Sequence, residues 1–82
     1  MHIVYVLKSV KDGNLYVGCT KNIDGRLKLH NSGRVRSTKS IRPFLLIYQE
    51  KYEDRYEAFR IERYYKTPKG KKELLIKIII NN

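Results

Sequence analysis

The chain has no tryptophan, one cysteine, one methionine and two prolines among its 82 residues. A lone thiol, Cys19, excludes an internal disulfide framework and any zinc site built from several thiolates, and it suits a reduced compartment. Acidic side chains are also scarce. Eight Asp and Glu stand against eighteen Lys and Arg, which leaves a formal net charge of +10. Long hydrophobic runs are missing: Leu74–Ile80 is seven residues interrupted by Lys77, far short of a bilayer span. The first residues hold no apolar segment followed by a small-residue cleavage site, so no secretory leader is expected and the expected location is the cytoplasm. What remains is 41% apolar residues, enough for a packed core despite 32% charge. So short a chain is expected to form one domain over residues 1–82.

A sequence pI near 9.9 makes a field that attracts polyanions. Nucleic acid is the partner this charge favours, since its phosphates supply affinity by counterion release. Two clusters could carry it: Arg34, Arg36, Lys39 and Arg42 in a Ser/Gly-rich stretch, and Lys66, Lys69, Lys71 and Lys72 around Pro68 and Gly70. The alternative is a solvated lysine-rich surface. No long basic amphipathic helix points to a membrane partner.

Ile3 to Leu7 is a continuous β-branched and aromatic run that predicts a buried strand. Asp12-Gly13-Asn14 supplies a turn and Leu15–Thr20 a second strand, making a hairpin. Asn22 caps a helix running to about Asn31, with Ile23 and Leu27 as an inward i, i+4 pair and Gly25 weakening it. The stretch from Ser32 to Pro43 has no periodicity, and Phe44–Gln49 reads as a third strand. Asp54 to Glu57 has capping-box spacing and opens a helix to about Lys66, which Thr67-Pro68 closes. Lys71–Lys77 reads as helix, although Ile76–Ile80 would also suit a strand. The order β-β-α-β-α-α predicts an α+β fold, a small three-stranded antiparallel sheet flanked by helices.

Three constellations stand out from an ordinary core. Glu62 lies beside the apolar stripe of Ala58, Ile61 and Tyr65, where a carboxylate is costly unless it is paired or holds a metal. Lys66, one turn on, offers the simpler explanation of a stripe-edge ion pair. Arg26 and His30 are i, i+4 on the first helix, a guanidinium matched to phosphate beside an imidazole that moves protons near neutral pH. Tyr5 and Tyr16 come from adjacent strands, with Gly18 two residues on marking a bulge or a close approach.

In chain order these residues resemble the GIY-YIG endonuclease family, in its short single-domain, UPF0213-like members. Ile3-Val4-Tyr5 stands for the first signature tripeptide, with Ile in place of Gly, and Tyr16-Val17-Gly18 for the second, ten residues lying between the two tyrosines. Thr20, the Arg26…His30 pair, the Thr38…Pro43 loop and the helix bearing Glu57, Ala58, Glu62 and Lys66 follow in order. The resemblance implies that Glu62 binds one divalent cation, Mg²⁺ or Mn²⁺, and that Arg26 contacts the scissile phosphate. It further implies that Tyr5 or Tyr16 activates water with His30 assisting, and that Gly18, Thr20 and Lys66 are accessory. The expected function is metal-dependent, structure-selective or non-specific cleavage of DNA in repair or recombination, leaving a 3′-hydroxyl and a 5′-phosphate. With no separate targeting domain in the sequence, a protein partner could supply target choice. The alternative functions are a catalytically silent nucleic-acid-binding module working with a larger partner, and a basic protein-interaction domain.

Overall fold

The computed structural model describes residues 1–81. The continuous apolar run of the first strand requires cover on both faces, and the fold provides it. Strand β1 (His2–Ser9) is the middle of a three-stranded antiparallel sheet, with β2 (Leu15–Thr20) at one edge and β3 (Phe44–Tyr52) at the other. Side chains alternate across β1. Val4 and Val6 pack with Ala58, Tyr65, Leu74 and Ile78 of the helices α2 (Arg55–Tyr65) and α3 (Pro68–Asn81). Ile3, Tyr5 and Leu7 pack on the opposite face with Phe44 and with Ile23 and Leu27 of α1 (Ile23–Asn31). The fold is thus the expected α+β arrangement in the order β-β-α-β-α-α, with a short 3₁₀ turn at Lys39–Ile41 inside the aperiodic stretch.

Local chemistry sets the connections. The β1–β2 turn closes through Gly13 at φ +76°, with the Gly13 N–H donating to the Ser9 carbonyl at 2.9 Å. Asn31 at the end of α1 clamps the start of β3: its Oδ1 accepts from the Phe44 N–H at 2.6 Å and its Nδ2 donates to the Phe44 carbonyl at 3.2 Å. Asp54 caps α2, though onto the Tyr56 N–H (3.1 Å) rather than the third-residue N–H of a capping box. Pro68 opens α3 rather than simply closing α2, with Thr67 Oγ1 accepting from the Gly70 N–H at 3.1 Å. Gly70 is obligatory there, because a Cβ would stand 1.8 Å from the Tyr64 carbonyl oxygen. The isoleucine-rich end is helical since Leu74 and Ile78, i and i+4, cover the core, while Ile76, Ile79 and Ile80 face outward.

Two strands outrun their sequence-based limits. β1 extends to His2 and Ser9, and β3 continues past Gln49 through the polar Glu50, Lys51 and Tyr52. Glu50 explains the second extension. Tyr52 (2.8 Å), Tyr65 (2.7 Å) and Tyr48 donate their hydroxyls to its carboxylate, and Lys77 of α3 stands 3.4 Å away. Burial would push the Glu50 carboxyl up, but the three hydroxyls and Lys77 outweigh it and hold the group below the usual carboxylate range. Glu50→Ala leaves these donors without an acceptor and is expected to cost about 3 kcal/mol in urea unfolding at pH 7. Because the folded value is depressed, that stability is present above the unfolded value of about 4.3 and is lost as pH falls through the folded one. The gap between wild type and variant should therefore narrow only below about pH 4, as the ionised share of the interaction is lost.

Candidate functional site

The register of the hairpin places Tyr5 of the central strand opposite Gly18 of the edge strand. The Tyr5 phenol occupies the space a side chain would take, since a Cβ on Gly18 would stand 2.3 Å from Tyr5 Oη. Gly18 thus makes room for the protein's own Tyr5 phenol, where the sequence offers a bulge or the approach of a ligand. Tyr16 lies on the same face, its ring centroid 6.5 Å from that of Tyr5.

Helix α1 crosses this face. The Thr20 hydroxyl accepts from the Asn22 N–H (3.1 Å) and Asn22 Oδ1 from the Gly25 N–H (3.1 Å), so Thr20 shapes the entry to the helix. A Cβ on Gly25 would lie 2.7 Å from Asn22 Nδ2, so this glycine, expected only to weaken the helix, also makes room for its cap. Ile23 and Leu27 seat α1 on the sheet and carry His30 inside the protein, buried rather than exposed as on an ordinary helix surface.

The His30 Nε2 lies 3.3 Å from Tyr5 Oη, and its Nδ1 lies 2.9 Å from Thr38 Oγ1. The Thr38 hydroxyl in turn reaches the Val35 carbonyl at 3.4 Å. One arrangement places all three protons on acceptors: Tyr5 O–H to Nε2, Nδ1–H to Thr38, and Thr38 O–H to Val35. In that arrangement the His30 nitrogen without a proton faces Tyr5. Thr38 had entered only as a motif match, because nothing local to the sequence ties it to His30. Burial and then the charge of Arg26 lower the His30 pKa below the usual range. Burial, and then the neighbouring Tyr16, push the Tyr5 phenol up to about 12. At neutral pH the pair is a phenol donating to a neutral imidazole.

Glu62 approaches from the other side of the sheet. Its side chain is 17% exposed and pairs with Lys66 at 2.8 Å. Its charge reaches the open edge of β2, where it raises both the Tyr5 phenol and, after burial, the Cys19 thiol. Arg26 acts on Tyr5 in the opposite sense. An edge strand with glycine at its centre is what allows groups from α1 and α2 to bear on one hydroxyl.

The basic clusters are less concentrated. Arg34, Arg36 and Lys39 are exposed, while Arg42 lies against Gly33 and donates to the Asn31 carbonyl at 3.5 Å, capping α1. Lys69, Lys71 and Lys72 project from the first turns of α3. Lys71 joins Tyr16, Lys66 and Leu74 around a cleft of about 270 Å³.

A family model described as the GIY-YIG catalytic domain matches residues 1–74. The chain belongs to the GIY-YIG nuclease family. A UPF0213 protein of Staphylococcus aureus is 44% identical over 74 residues, covering 89% of each chain. One from Staphylococcus haemolyticus is 43% identical over 67 residues, covering 80% of each. The solution structure of a UPF0213 protein from Bacillus halodurans superposes with a TM-score of 0.56 at 37% identity, over 94% of this chain and 83% of that one. GIY-YIG nucleases act on nucleic acid and generally use divalent metals. No described helix is long and apolar enough to cross a membrane.

Proposed function

We propose that this GIY-YIG chain is a metal-dependent endonuclease that hydrolyses DNA phosphodiesters, structure-selectively or without sequence preference. The observation that carries the reading is the convergence on Tyr5 of a hydrogen-bonded His30 and of the opposed charges of Arg26 and Glu62. Among the described residues no three His, Cys, Asp or Glu side chains come together. Mg²⁺ and Mn²⁺ do not require such a cluster, being hard ions held by one or two carboxylates with the other oxygens taken from water and phosphate. Glu62 fits the part: an ionised carboxylate has about four acceptor positions, and its ion-pair partner here is the exposed Lys66. Such a cation, when bound, supplies positive charge against the phosphate and the leaving oxygen.

The chain's own groups account for the proton and the position. A phenol with its pKa near 12 is a poor base alone. Tyr5 therefore accepts a proton from the attacking water as its own passes to His30 Nε2, leaving an imidazolium held by Thr38. The water oxygen bonds to phosphorus and the bond from phosphorus to the 3′ oxygen breaks. That oxygen takes up a proton from solvent, giving a 3′-hydroxyl and a 5′-phosphate. Arg26 offers fixed charge to the phosphate, where it counts most in the transition state.

The test is incubation of the purified protein with duplex, single-stranded and branched DNA, with Mg²⁺, Mn²⁺ or a chelator. Products bearing 5′-phosphates are expected only with metal. Salt-sensitive binding with no product under either cation would establish the silent binding module instead, and negligible affinity at low salt would favour a protein-interaction domain.

A further inference from the structure

A second cleft, of about 290 Å³, opens where β2 passes into α1, bounded by His2, Lys21, Arg26, Arg55 and Phe59. Lys21 follows the edge strand, Arg26 comes from α1, and Arg55 and Phe59 come from the first turns of α2. Three permanent cations thus face one space. The ion pairs among the described residues, Lys66–Glu62 and Lys77–Glu50, use none of them. Like charges gathered without salt-bridge partners of their own repel one another, and an anion from outside relieves the arrangement. The net positive field shows at His2, whose proton affinity is lowered by burial and then by Lys21, the amino terminus and Arg55, with Asp54 opposing them.

Phe59 makes the cleft more than a charged patch. It is 40% exposed, and the Arg55 guanidinium lies 5.3 Å from its ring centroid. An aromatic face among cations is the composition of single-stranded nucleic-acid sites, where bases stack and the basic groups follow the backbone. A space of this size suits one nucleotide and is too small for a duplex.

We infer that this cleft binds an unpaired nucleotide, with Lys21 and Arg55 on its phosphate and Phe59 under its base. Arg26 belongs both to the cleft and to the candidate catalytic site, so the nucleotide adjoins the scissile phosphate. That last placement rests on the nuclease reading, whereas the binding does not. The protein would therefore prefer single-stranded or flapped DNA to continuous duplex.

The experiment is fluorescence anisotropy in chelator, where no cutting can occur, with single-stranded, flapped and duplex DNA over a range of salt. Lys21→Ala/Arg55→Ala should weaken single-strand binding by tenfold or more, and flatten the slope of log affinity against log salt by about 0.7 per phosphate lost. Phe59→Leu should remove the preference for single strands, a loss of about tenfold, and Phe59→Tyr should keep it. Circular dichroism confirms that each variant is folded, and Arg34→Ala/Arg36→Ala serves as the comparison for bulk charge. Wild-type affinity and slope in the Lys21/Arg55 variant, or equal losses from the Arg34/Arg36 variant, would overturn the inference. Those shifts without metal-dependent cutting by wild type would sink the nuclease reading and leave this cleft standing.

Discussion

Glu62→Ala is expected to lower the rate of DNA cleavage by on the order of 10³-fold or more and to leave folding stability within about 0.5 kcal/mol of wild type. Two half-buried carboxylates in this protein show why those effects separate. Glu50, 16% exposed, is saturated by three tyrosine hydroxyls and Lys77, so its removal strands buried donors. Glu62 is buried to the same degree but has an ion pair only with a lysine that is itself 53% exposed. An i, i+4 pair of that kind contributes about 0.3–0.5 kcal/mol, and alanine's better helix propensity offsets part of it. Lys66 is left free to take up water. A carboxylate that contributes little to the fold and keeps open acceptor positions is the one expected to act on a cation under the proposed function. Single-turnover cleavage and urea unfolding of the same preparation check both halves. Metal-dependent cutting at a wild-type rate by Glu62→Ala would remove Glu62 from the site, and a large loss of stability would make it a second Glu50.

Much of this was legible along the chain, and the illegible part has a common cause. The apolar run of β1, the Asp12-Gly13-Asn14 turn, the Asn22 and Asp54 caps and the i, i+4 pair Ile23/Leu27 are short-range signals, and the fold follows them. The end of β3 was hidden because Glu50 is polar by itself and becomes a strand residue only through Tyr65 and Lys77, fifteen and twenty-seven positions away. Nothing local to the sequence marks Gly70 as obligatory, because the Tyr64 carbonyl that excludes a Cβ is brought against it only by the turn between α2 and α3. His30 and Thr38 are eight residues apart across an aperiodic loop, so no helical or strand spacing could join them. The ordered motif named candidates for the catalytic set, but it did not separate the two tyrosines. The Lys21–Arg55 cleft was missed for a related reason: three elements each contribute a cation, and the charge runs that stand out in the sequence lie elsewhere.

Tyr5→Phe is expected to lower cleavage by about 10²–10⁴-fold, the range for loss of a positioned proton-transfer group, and Tyr16→Phe by less. The distinction rests on the hydroxyls. Tyr5 Oη is held 3.3 Å from a buried imidazole, whereas Tyr16 meets His30 edge to face, ring centroids 4.8 Å apart. Phenylalanine fills the space over Gly18 without a clash, so the fold survives. The loss of a donor to buried Nε2 costs about 1–3 kcal/mol, measurable by urea unfolding. The pH profile identifies the relay. His30 must be neutral to accept a proton, and burial with Arg26 lowers its pKa, so wild-type activity should persist below the ordinary histidine value of about 6.5 before it falls. Thr38→Val removes the acceptor for Nδ1–H, frees the imidazole to take the other tautomer and should depress the rate across the whole profile, with ¹⁵N resonances of His30 reporting the change. Thr38→Ser keeps the hydroxyl and should restore both rate and tautomer. If Tyr16→Phe proves the more damaging change, water activation belongs to Tyr16. The Tyr5–His30–Thr38 chain would then be a structural brace on α1, and Thr38→Val would change stability without changing the acidic limb.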